Sequence, residues 1–173
     1  MSGSYIIPLN GLQEGQNIFD IDIGKDFFEL FKESEIEDGN LIAHVEIDKR
    51  SDHLDLLIDL SGSVKICCDR CLDLFSLSIG STNRLLVEYG ENIENTDPEI
   101  LIIPIDEHKL DLKQHIFEFI YLALPIKKVH PNGKNGKSTC NQFMLEKLRE
   151  YIVEEEEETD PRWDELKKLI NNN

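Results

Sequence analysis

The chain reads as an α+β protein, and three observations predict this. Residues 16–66 alternate apolar and polar side chains with period two, whereas residues 112–124 and 143–152 repeat apolar side chains at helical spacing. A length of 173 residues with 40% hydrophobic content suits one domain able to bury a sizeable core. The expected architecture is an antiparallel sheet of roughly five to seven strands, either open or closed into a barrel, with two or three helices packed on it. A C-terminal amphipathic helix completes it. The expected division is a domain over 1–153, an acidic linker over 154–159 and the C-terminal helix over 160–173.

The strands come first. Over 16–23, Phe19, Ile21 and Ile23 alternate with Ile18, Asp20 and Asp22, and a short helix is expected at 25–32. Leu41, Ala43, Val45 and Ile47 then take every second position, alternating with His44, Glu46 and Asp48. After the turn-like Arg50-Ser51-Asp52, the pattern repeats at Leu54, Leu56, Ile58 and Leu60. Ser61-Gly62-Ser63 is expected to turn, leaving Val64 and Ile66 on a further strand. Residues 72–79 and 84–89 read as two more strands, followed by an acidic loop over 90–98 and a short apolar run over 100–105.

The second half is helical. Asp111 to Gln114 fits a capping box before Leu112, Ile116, Phe119, Ile120 and Ala123, a stripe that ends at Pro125. The predicted role of that helix is core packing. Pro131 to Gly136 forms a loop, and Ser138 or Thr139 is placed to cap a helix bearing Phe143, Leu145, Leu148 and Ile152. Glu154 to Glu158 is a run of like charge that stays solvated. Asp160-Pro161 then opens a last helix with Trp163, Leu166, Leu169 and Ile170 along one face. Trp163, Leu166, Lys167, Lys168 and Ile170 form a candidate partner-binding face; docking on the helix's own domain is the other reading.

Four cysteines punctuate the chain. Cys68-Asp69-Arg70-Cys71 is a C-x2-C knuckle, a spacing that suits one metal ion or a redox disulfide. Strand alternation puts Val64, Ile66 and Cys68 on one face and Cys67 on the other, so Cys67 falls outside the pair. Downstream, His130 and Cys140 flank a turn-rich segment. Cys68, Cys71, His130 and Cys140 are therefore the candidate ligands of a single structural zinc ion. A thiol-redox role needs a helix N-terminus or similar device to lower a cysteine pKa, and here strand-like sequence follows the knuckle instead. His44, His53, His108 and His115 are scattered and have no nucleophile beside them, which leaves acid–base catalysis unsupported.

With 35 acidic against 18 basic residues, the net charge of −17 argues against a phosphate backbone as main ligand. It favours basic partners. A local patch of Lys127, Lys128, Lys134 and Lys137 is the place where RNA contact is conceivable. No run approaches the ~18 apolar residues of a membrane span. No basic leader precedes Tyr5, and the expected compartment is the cytoplasm.

Three blocks carry a resemblance to a known family. Gly62, Val64, Cys68, Arg70, Cys71 and Leu72 resemble the Gly-x-Val-x-x-x-Cys-x-Arg-Cys-Leu signature of the bacterial YceD family. Leu110-Asp111-Leu112, Glu118 and Leu122-Ala123-Leu124-Pro125 are similar to its next block, and Asp160 to Trp163 with Leu166 to Leu169 to its closing one. The resemblance implies a bacterial or plastid protein linked to accumulation of large-subunit ribosomal RNA, without catalytic residues to carry over. Many relatives place several cysteines after the Leu-Pro block. This chain has His130 where that series begins and then only Cys140. The expectation is a non-enzymatic ribosome biogenesis factor acting through basic ribosomal or assembly proteins, without a small-molecule substrate. A zinc-binding or thiol-redox module is the alternative.

Overall fold

The computed structural model describes residues 5–32, 34–90, 97, 100–133 and 136–151. Its centre is a five-stranded sheet in the order β2-β3-β4-β5-β6: β2 (Gly15–Ile23), β3 (Asp38–Lys49), β4 (His53–Cys67), β5 (Leu74–Tyr89) and β6 (Ile100–Ile103). A separate two-stranded ribbon pairs β1 (Ile6–Pro8) with β7 (Lys109–Asp111). Three α-helices stand among the described residues, in chain order α1 (Lys25–Phe28), α2 (Lys113–Leu122) and α3 (Gln142–Tyr151). The fold is α+β as expected.

Two features of the sheet differ from the expected one. It does not close into a barrel, because β2 and β6 end the strand order. Nor is it wholly antiparallel: β6 lies parallel to β5, with Leu86 opposite Ile100 and Tyr89 opposite Ile103. The long connection that contains residues 90–99 is what permits a parallel return, since a tight hairpin cannot make one.

Strand lengths differ as well. Ser61-Gly62-Ser63 is not a turn but the middle of β4, and the two strands expected at 72–79 and 84–89 are one strand, β5. For β4 the physical reason is Gly62. Its φ of +147° and its closeness to β3 leave no room for a side chain; a Cβ there would lie 2.3 Å from the Asn40 carbonyl oxygen. A glycine that looks like a turn residue instead lets two long strands approach. The alternation passes through it unchanged, so Leu54, Leu56, Ile58, Leu60, Val64 and Ile66 all face one way and are buried.

That inner face carries the core. Val45, Ile47, Leu85 and Val87 join it from the neighbouring strands. From α2, Leu112, Ile116 and Ile120 pack against it, while Leu122 is exposed. The turn of α1 inserts Phe27, whose ring meets Tyr5, Phe28, Phe31 and Phe117. This helix is shorter than the expected 25–32.

Helix starts also depart from expectation. Asp111 does accept the Lys113 N–H, but Gln114 turns forward to Glu118, so no capping box forms. Asn141, not Ser138 or Thr139, caps α3 by accepting the Phe143 N–H. Ser138 accepts the Cys140 N–H instead, and Thr139 donates to the Pro131 carbonyl. No residue of α3 is fully buried; Met144 and Leu145 pack on the core edge, and Phe143 and Tyr151 face outward. The acidic linker at 154–159 and the C-terminal helix lie outside the described residues.

Candidate metal centre

The end of β4 builds the site. As the strand leaves the sheet, the Cys68 N–H bonds to the Asp73 carbonyl, and the Leu72 N–H closes a turn onto the Cys68 carbonyl. The chain can turn so tightly because Leu72 adopts a left-handed conformation, φ 61°, which is costly for a branched side chain. Its side chain is left 65% exposed. Cys67 points away from the knuckle to solvent, and its thiol donates to the Leu72 carbonyl. Alternation along β4 thus separates Cys67 from Cys68.

A second segment is tied to this knuckle. Asp69 donates its N–H to the Lys128 carbonyl at 2.7 Å and accepts the Lys128 N–H on its own carboxylate at 2.6 Å. Lys128 also reaches Glu35 at 2.6 Å, and that hydrogen bond raises its pKa. Two residues on, the His130 ring lies 4.6 Å from the Phe75 ring, tilted by 31°, which fixes the plane of the imidazole. The loop after it folds back through the Gly133 N–H to the Lys137 carbonyl and returns the chain to Cys140 at the start of α3.

Four ligand atoms meet where the two segments join. Those of Cys68, Cys71, His130 and Cys140 all lie within 4.8 Å of one another, the three cysteines buried and the histidine half-buried. Sγ of Cys68 and Cys140 are 3.8 Å apart, and Nδ1 of His130 is 3.5 Å from Sγ of Cys71 and 3.7 Å from that of Cys140. Tetrahedral zinc with Zn–S of ~2.3 Å and Zn–N of ~2.0–2.1 Å separates two sulfurs by about 3.8 Å and sulfur from nitrogen by about 3.5 Å. The donor set fits the ion.

The surroundings suit a thiolate at Cys68. Burial opposes charge on Cys68, yet the backbone N–H groups of Cys71, Arg70 and His130 and the His130 ring bring its pKa down to about 6. Burial holds Cys71 above the ordinary thiol value, although it too receives backbone N–H groups, from Asn141 and Asp73. Such donors orient and stabilise coordinating sulfurs.

The four candidate ligands therefore come together, while Trp163, Leu166, Lys167, Lys168 and Ile170 lie outside the described residues. Of the candidate basic patch, Lys128 is committed to Glu35 and Asp69, Lys127 and Lys137 are exposed, and Lys134 lies outside the described residues. Sequence reading missed the Asp69–Lys128 clamp and the Phe75–His130 contact. Both are long-range, and the one local hint was a carboxylate inside the knuckle. No helix among the described residues is long and apolar enough to cross a membrane.

Three cysteines and one histidine thus gather where the end of β4 in an α+β sheet meets the segment leading into α3. The chain belongs to the YceD family: the family model described as large ribosomal RNA subunit accumulation protein YceD matches residues 56–170. That description gives the family a role in accumulation of the large ribosomal RNA. The match takes in β4 from Leu56, the knuckle, His130 and Cys140, whereas β1 to β3 precede it. No curated protein and no solved structure matches the chain.

Proposed function

We propose that the chain is a non-enzymatic factor in large-subunit ribosome biogenesis, acting through basic protein partners, with one structural zinc ion held by Cys68, Cys71, His130 and Cys140. The observation that carries the biological role is the family match over residues 56–170. The structural assignment of the metal is supported by the closure of the cluster. Catalytic zinc keeps one position open for water or substrate, whereas four protein ligands leave none. When bound, the ion would supply a cross-link between the sheet and the segment that leads into α3. Each ligand has a part in this: the knuckle offers two thiolates from one turn, His130 is set by Phe75, and Cys140 anchors the first turn of α3.

Thiol-redox chemistry is the weaker reading. Cys68 and Cys71 are 0% and 1% exposed, which denies a partner protein's thiol a line of attack. The exposed Cys67 has no second thiol on its own face of β4. The acidic surface supports protein partners over bare RNA, because repulsion by phosphate grows with each uncompensated carboxylate.

The test is genetic. Removing the chain from cells that normally express it is expected to lower large-subunit relative to small-subunit ribosomal RNA, with rescue by the wild-type chain. Unchanged ribosomal RNA, together with failure of the tagged protein to retain any ribosomal component, would sink the proposal.

A further inference from the structure

The sheet has a second face that no helix among the described residues covers, and strand register shows what stands on it. One row across the four antiparallel strands holds Asp20, His44, Asp59 and Thr82; the next holds Ile18, Glu46, Leu57 and Arg84. On either side lie Asp22 with Ile42, and Asp48 with Asp55. Six carboxylates thus share this region with two arginines, Arg84 on Asp55 and Arg50 on Asp48, and with His44, which contacts Asp20 and Glu46. Exposed apolar side chains stand among them: Ile18 is 60% exposed, Ile42 47% and Leu57 38%. Neighbouring strands are ~4.8 Å apart, so the carboxylate charge left over by these partners is concentrated at close range.

The face also has relief. A depression of about 210 Å³ is lined by Gln16, Glu46, Asp48, Asp55, Leu57 and Arg84. Arg84 shows how a guanidinium sits there. It forks onto both oxygens of Asp55, at 2.8 and 2.5 Å, directly across from Leu57. Carboxylate walls beside an apolar side chain match the aliphatic stem and cationic head of lysine or arginine.

We infer that this face, centred on Glu46, Asp48, Leu57 and Asp59, is the docking surface for a lysine- and arginine-rich protein segment that places a basic side chain in the depression. The inference deepens the proposed function by locating the partner surface, and it rests on that reading for the kind of partner. Asp20, Asp22, Glu46, Asp48 and Asp55 precede the family match, which begins at residue 56. Charge complementarity selects the occupant: a basic polypeptide relieves the repulsion among the carboxylates, whereas nucleic acid increases it. The apolar side chains supply the buried contact area that charge alone lacks.

The experiment uses the full chain and, as probe, the total protein extracted from purified large ribosomal subunits. Binding proteins are identified, and their affinities are measured for three chains. These are wild type, a face variant (Glu46→Gln, Asp48→Asn, Asp59→Asn) and an off-face control (Glu29→Gln, Asp106→Asn, Glu150→Gln). The expected result is a defined basic protein that binds wild type and the control within twofold, and the face variant at least tenfold more weakly. Carboxyl footprinting of the wild-type complex should protect Glu46, Asp48 and Asp59, a readout that stands even if the variant folds poorly. Equal weakening by both variants would mean generic attraction to net charge, and no weakening would mean another surface; either overturns the inference while leaving the biogenesis role intact. Binding of a ribosomal RNA fragment through these carboxylates would also overturn it. Should wild type bind nothing, loss of large-subunit RNA in cells lacking the chain would reject only the surface, and normal RNA would reject the biogenesis role as well.

Discussion

Strand β4 serves two regions of opposite character. Its outward side chains Asp55, Leu57 and Asp59 stand on an open acidic face, each placed by local alternation and set beside its neighbours by register. Its last residues feed Cys68 into a buried cluster whose fourth ligand lies 72 positions away. The face is a sum of nearly independent parts, so losing one carboxylate should leave the rest working. With zinc bound as proposed, the cluster would be cooperative, because no ligand could leave without releasing a whole segment. Tolerance to substitution ought to differ accordingly.

The largest expected effect comes from breaking the cluster. Cys140→Ser, or removal of metal by a chelator, should cost at least about 4 kcal/mol in denaturant unfolding. Hydrogen exchange should rise first in residues 126–145 rather than in β3 and β4. Equal acceleration throughout the sheet would show that the cluster is not a local clasp. Next comes Gly62→Ala, which forces a Cβ against the β3 backbone and is expected to destabilise by about 2–4 kcal/mol. A variant as stable as wild type would contradict the close approach of these strands. Asp69→Ala is expected to cost about 0.5–1.5 kcal/mol through loss of its hydrogen bond from the Lys128 N–H. Because Asp69 positions the His130 segment, the same change should weaken zinc about 10–100-fold in a competition titration with a chromophoric chelator. Unaltered affinity would limit Asp69 to a purely structural part.

Legibility followed the same division. The alternation at Leu41 to Ile47 and Leu54 to Leu60 revealed the strands and their buried face, because the period of a strand is local. It also separated Cys67 from Cys68. The continuity of β4 was hidden, since Gly62 resembles a turn residue unless one knows that Asn40 crowds it, and that of β5 follows only from its pairing with β4 along its whole length. The parallel pairing of β6 and the β1–β7 ribbon were hidden too; both depend on partners far along the chain. For the site, the knuckle was plain and the pairing with His130 and Cys140 was inferable from residue type. Its supports, Asp69 on Lys128 and Phe75 on His130, belong to the tertiary structure alone. The α3 start was misplaced because Ser138, Thr139 and Asn141 are all competent caps.

The smallest expected effect lies on the acidic face. The His44 ring donates from Nδ1 to the Asp20 carboxylate at 2.6 Å, and that hydrogen bond raises its pKa above the ordinary value. A raised folded-state pKa adds stability that is fully present below the unfolded value of ~6.5 and is lost as pH rises through the folded one. Asp20→Asn should therefore lower the His44 pKa in an NMR titration and leave stability above that range unchanged. A titration identical to wild type would remove Asp20 as the cause. Even a clear shift here should leave the cluster untouched, which is the contrast between the two regions in its simplest form.

The structural zinc clasp is tested most directly by the metal content of the full chain purified without chelator, read beside the Cys140→Ser variant. One zinc per chain in the wild type and much less in the variant is the predicted result. A wild-type chain free of metal, with the variant equally stable, would contradict the clasp.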